Sequence, residues 1–186
     1  MNKGLKITLI IVIALWLAKP AFSQSDNANI NVRFSVPEIA VVDIEPDYNN
    51  IEFSVNASAS PGGEPVVENV SNESVWINYS SAIRLTGNKR MINVQISDND
   101  VPPGISFYIE ASAASGLGSA NQGISTGKVR VTHEPRPIIT GIGSCYTGDG
   151  VNMGHELHYF LEISDFTKIE SAANQVFTVM YTITDN

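Results

Sequence analysis

Val176-Phe177-Thr178-Val179-Met180-Tyr181-Thr182-Ile183-Thr184 puts an apolar or aromatic side chain at every second position, with Thr178, Met180 and Thr182 between. Successive side chains on a strand point to opposite faces, so period two over this length predicts a half-buried β-strand. Phe177, Val179, Tyr181 and Ile183 form its apolar face. The same grammar appears far upstream. Ile30, Val32, Phe34 and Val36 alternate with Asn31, Arg33 and Ser35 until Pro37 closes the run.

Between these two stretches the pattern repeats. Residues 39–44 are a short apolar run closed by Glu45-Pro46-Asp47, and Ile51, Phe53 and Val55 alternate before the turn-rich residues 58–65. Val75, Ile77 and Tyr79 share a face, with Trp76 on the other; Ile92, Val94 and Ile96 alternate, as do Ile105, Phe107, Ile109 and Ala111. Val129 and Val131 make a brief strand, which the proline-bearing residues 135–137 interrupt before the apolar residues 138–142. Leu157, Tyr159, Leu161 and Ile163 line one face of another strand. Residues 112–127, small and glycine-rich, read as a long loop, and only residues 165–174 have room for a helical turn. Short strands punctuated by Gly, Pro, Asn and Asp predict an all-β chain. The expected architecture is a single antiparallel β-sandwich, Ig-like or pilin-like, of about nine or ten strands.

The first residues follow a different rule. Lys3 and Lys6 precede an apolar run at 7–17, and Ala21-Phe22-Ser23 supplies small residues before Gln24, the three-part layout of a secretory signal. The run is about half of what crosses a bilayer, and Lys19 and Pro20 close it. The expectation is a signal peptide at 1–23 and one exported domain at 24–186, destined for the periplasm, cell surface or medium. No later apolar stretch is long enough to span a membrane. The leader holds three of the 11 Lys+Arg and none of the 19 Asp+Glu, so the mature chain keeps eight basic residues and a net charge of −11. A field of that sign repels nucleic acid and anionic membrane surfaces.

Cys145 is the only cysteine, so no disulfide forms within the chain and the core must hold the fold. A lone thiol in an exported protein is either buried or open to an intermolecular bond; burial is the expected state.

Candidate chemistry is sparse. His155-Glu156-Leu157-His158 has its histidines three apart on a predicted strand, where they point to opposite faces and cannot share a zinc ion as histidines four apart on a helix do. A hydrolase built on Cys145 would need a histidine base and an oxyanion site, and no nucleophile signature surrounds the thiol. No catalytic residue is assigned. Calcium is the one ion with candidate ligands: Asp98 and Asp100 flank Asn99 in a turn, and Asp149 sits between glycines. Trp76, Tyr79, Tyr108 and Tyr159 are the aromatics a glycan could stack on, though aromatics at strand spacing more often pack across strands. Asn56, Asn69, Asn72 and Asn78 each open an Asn-x-Ser sequon, which only a eukaryotic secretory host would use.

The two alternating ends remain. An edge strand offers unpaired backbone groups and accepts another strand, its own or a neighbour's. With its leader, its Ile30/Val32/Phe34/Val36 run and its closing strand, the chain resembles bacterial pilins and related surface β-sandwiches. Many chaperone-assembled pilins carry a disulfide near the start of the domain, which this chain cannot form. The chain also looks like exported β proteins of flavobacterial type, through Gly143-Ser144-Cys145-Tyr146-Thr147-Gly148 and the closing Tyr181-Thr182-Ile183-Thr184. These likenesses imply a surface structural or adhesive protein, fimbrial in type, whose partners are protein subunits or surface proteins meeting its terminal or edge strands. The alternative is a secreted carbohydrate- or calcium-binding module, and a hydrolase ranks last.

Overall fold

Period two becomes structure where one apolar face meets another. The computed structural model describes residues 29–47, 50–69, 74–171 and 175–186, so the leader reading of residues 1–23 lies outside them. Among the described residues the strands are β1 (Ile39–Glu45), β2 (Phe53–Asn56), β3 (Val66–Asn69), β4 (Val75–Ala82), β5 (Arg90–Asp98) and β6 (Ile105–Ala111). They continue with β7 (Ile124–Ser125), β8 (Val129–Arg130), β9 (Arg136–Ile142), β10 (Cys145–Tyr146), β11 (His155–Ile163) and β12 (Thr178–Asp185). One sheet runs β1-β4-β11-β6-β8, with β10 also on β4; a second runs β12-β5-β9-β7; β2 and β3 pair by themselves. Every ladder is antiparallel. The chain is all-β, and its antiparallel sheets are consistent with a β-sandwich.

Both large sheets feed one core. Ile77, Ile109 and Leu157 from the first and Ile92, Val94, Ile139 and Ile142 from the second belong to a single buried cluster. Burying each such side chain is worth about 1.5–3 kcal/mol. Phe107 anchors three aromatic contacts, edge-on to Phe53 and Phe177 and stacked with Tyr159. The Tyr159 and Tyr181 hydroxyls meet at 3.0 Å and tie β11 to β12.

One departure from the sequence reading has a clear cause. Pro137, taken as an interruption, lies inside β9; it has no amide to donate, and the β5–β9 ladder shifts register beside it, between Ile92 and Asn93. The helical turn expected in this region is a 3-10 turn, Phe166–Lys168, capped by the Asp165 carboxylate.

The largest departure is at the beginning. Residues 29–35 form no strand, and Ile30, Val32, Phe34 and Val36 are 88, 77, 88 and 70% exposed. Contacts divide the chain into Met1–Ser35 and Val36–Asn186, so residues 29–35 stand outside the unit that holds the sheets. Alternation decides which side chains share a face; a strand also needs an edge to pair with.

One buried cation joins both sheets. Arg90, at the start of β5, is 5% exposed. Its guanidinium donates to the Ile39 carbonyl on β1 and to Ser81 Oγ on β4 at 3.3 Å, and its Nε donates to Asp185 Oδ1 on β12 at 3.1 Å. Glu38 Oε2 lies 3.8 Å from Nη2. Arg90→Met keeps the volume but deletes these bonds, and is expected to cost about 2–3 kcal/mol in urea unfolding, as for hydrogen bonds to charged groups. Glu38→Gln, on the exposed side, should cost less than about 1 kcal/mol. Equal effects would refute the clamp.

Candidate functional site

β1 and β12 each stand at one edge of their sheet, and between them lies an open groove of about 410 Å³. Its lining is Val42, Asp43, Ile44 and Asp47 on one wall and Ser97 with Thr178, Val179, Met180 and Tyr181 on the other. Alternation explains the lining: Val42, Ile44, Val179 and Tyr181 pack partly buried against the core. On β5, one strand further in, Ile92 and Val94 are fully buried and Ile96 nearly so. Of the residues expected to form strand contacts, Val179 and Tyr181 therefore line an open groove, Ile183 follows them on β12, and Phe177 packs on Phe107 instead.

The lip of the groove is acidic. Asp43, Glu45 and Asp47 bring carboxylate oxygens within 4.8 Å of one another. Burial, then the charges of Asp47, Asp149 and Asp43, push the Glu45 carboxyl above its ordinary range. Asp43-x-Glu45-x-Asp47 is itself period two, the signal that could have found the cluster; reading 45–47 only as a strand stop hid it. The acids singled out from sequence go elsewhere. Asp98 ends β5 opposite Thr178, and Asp100 is bonded to His133 Nε2 at 2.6 Å. Asp149 is near enough to act on Glu45. Among the described residues, the three do not gather as one ligand set.

Asp149 is held there by a pinned loop. Asn78, buried on β4, accepts from the Gly150 amide at 2.6 Å and donates to the Met153 carbonyl at 2.7 Å. Its carboxamide is thus spent, which shuts that sequon in the folded chain. Gly154 closes the loop at φ +73°, where a Cβ would lie 2.2 Å from the Ile77 carbonyl. Asn56 and Asn69 lie on β2 and β3, and Asn72 falls outside the described residues.

A second polar cluster lies inside. His155 is fully buried on β11 and stacks on Tyr79 of β4. Its Nδ1 donates to the Ser112 carbonyl and its Nε2 meets the Tyr79 hydroxyl, both at 2.8 Å; that hydroxyl also touches the Gln122 carbonyl. Thr147 Oγ1 accepts from the Tyr79 amide at 2.9 Å. Burial lowers the His155 pKa from its ordinary value. His158, three residues on, is exposed. Cys145 is buried, and burial raises its thiol pKa, so the reactive thiolate is disfavoured. His155 and His133 spend both ring nitrogens on other partners.

The four candidate aromatics do not form a shared stacking face. Trp76 and Tyr79 are buried, Tyr159 is bonded to Tyr181, and the Lys128 ammonium sits 4.7 Å over the Tyr108 ring and 4.6 Å over Phe160. No family model, curated protein or solved structure matches the chain.

Two pH dependences follow. The His155 pKa is lower folded than unfolded, so its stabilisation is complete above its ordinary value and is lost as pH falls below it. His133 is the reverse: its bond to Asp100 raises its pKa, and that stabilisation is present in acid and lost as pH rises through the folded value. Between about pH 8 and 5.5, His155→Gln should flatten the fall in melting temperature and His133→Gln should steepen it; two parallel curves would contradict the assignment. The lip gives a further test. A raised carboxyl costs stability once it ionises, so Asp43→Asn should raise the melting temperature near neutral pH. The gain should shrink toward about pH 4, where carboxylates protonate. A gain independent of pH would rule out charge relief.

Proposed function

We propose that the chain is an exported cell-surface protein with a structural or adhesive role, a fimbrial-type subunit built as a β-sandwich. One observation carries the reading: the unit has an open groove between two edge strands, and the same chain carries an alternating segment that forms no strand. Unpaired edges and unpaired strands are the parts from which β-proteins assemble. The shared core of the two large sheets supports the sandwich. A catalytic role has less behind it, because burial disfavours the Cys145 thiolate and two of the three histidines, His133 and His155, are bonded elsewhere.

Surface biotinylation and immunogold labelling of the source cells test this reading. The expected result is labelling of intact cells, with reduced adhesion or loss of surface structures when the gene is deleted. Labelling only after lysis, or a deletion strain with unchanged surface and adhesion, would overturn it.

A further inference from the structure

We infer that the β1 edge of the groove receives the segment Asn29–Val36 of a second copy of this chain, paired antiparallel with Arg33 beside Asp43. The inference deepens the proposed assembly role and rests on it.

The observations meet at the level of side chains. The segment shows four apolar residues to solvent, Ile30, Val32, Phe34 and Val36, each at least 70% exposed. The groove offers Val42 and Ile44 on β1, only partly buried. Antiparallel pairing is the geometry of every ladder in this fold. Setting Arg33 opposite Asp43 places Val32 opposite Ile44, Phe34 opposite Val42 and Val36 opposite Ala40, so the apolar residues of both strands face inward together. A slip of one residue would turn the segment's apolar side outward, which makes this register selective. In this register residues 31–36 lie opposite six of the seven residues of β1.

Charge selects the occupant. Asp43, Glu45 and Asp47 make the lip acidic, so two β1 edges repel each other. Arg33 is the segment's only charged residue and lies on its polar face, where this register sets it beside Asp43 and near Glu45. The lip thus excludes one pairing and favours the other.

The segment cannot serve its own β1. Only Pro37 and Glu38 separate Val36 from Ile39. A two-residue hairpin turn needs positive φ at its first central residue, and proline is fixed near −65°. Parallel pairing needs a crossover of a dozen residues or more. If this segment pairs with a β1 edge, that edge belongs to another molecule.

The test uses the full-length chain, purified after export, with mass read by light scattering and folding by circular dichroism. Wild type should form dimers or longer species. Val32→Asp and Phe34→Asp alter exposed residues and should weaken association about tenfold or more while the fold is kept. Arg33→Glu and Asp43→Lys should each weaken it similarly, and mixing those two variants should restore it. A wild type that stays monomeric at its highest soluble concentration would overturn the inference. So would a monomer that Phe34→Asp destabilises, which would mean docking within one chain. Oligomers that survive all four substitutions would overturn this occupant alone, and labelling of intact cells judges the surface role independently.

Discussion

A guanidinium buried between two sheets sets the geometry on which the rest of the molecule depends. Arg90 holds the first residue of β1 and the last residue of β12, Asp185, to the same end of the fold. It also reaches Ser81 on β4. Removing such a group from water costs several kcal/mol unless its donors are used, and here they are spread over three strands besides its own. The edges are thereby closed at one end. At the other, where β1 finishes and β12 begins, no equivalent clamp appears among the described residues, and the edges part into the groove. Closure and opening are two consequences of one placement.

A chain with a single cysteine has no covalent staple, so specificity must come from buried polar groups that accept only one arrangement. The His155 and Tyr79 pair does this in the first sheet, joined by Thr147 and by carbonyls of the loop that follows β6. Among the described residues, no buried side-chain polar atom lacks a partner. A satisfied network of this kind fixes loops onto strands and excludes alternative packings at little net cost. The same logic pins residues 147–154 through Asn78 and Gly154, and so keeps Asp149 close to Glu45. The charge on the lip is therefore set partly by core packing on β4.

Much of the strand pattern could be read directly. Ile92, Val94 and Ile96, or Leu157, Tyr159 and Leu161, announce their faces, because burial on one side requires alternation. β3, β7, β8 and β10 have two to four residues each, too few for a period to show, and only β8 was read, through Val129 and Val131. The site was harder to see. A groove between β1 and β12 depends on strand order, which no local pattern contains. Asp98 and Asp100 looked alike in sequence, yet one closes a ladder and the other holds a histidine. Distance along the chain says little about which oxygens converge. Cys145 was legible because a small apolar thiol between short strands has few places to go but inward.

The segment with Ile30, Val32, Phe34 and Val36 carries the deeper lesson. Its pattern is as regular as that of β12, yet β12 lies in a sheet and the segment does not. The difference is that β12 has β5 beside it over eight positions, including Tyr181 on Val94 and Ile183 on Ile92. Backbone pairing and shared burial repay the entropy of holding a strand straight only when both are present. Pro37 denies the segment the nearest edge, and two intervening residues leave no room for a crossover. What remains is an alternating segment with its apolar residues in water, soluble only while charge and proline keep it from indiscriminate pairing. The same acids that keep the β1 edge from pairing with itself leave it open to a strand carrying one positive charge.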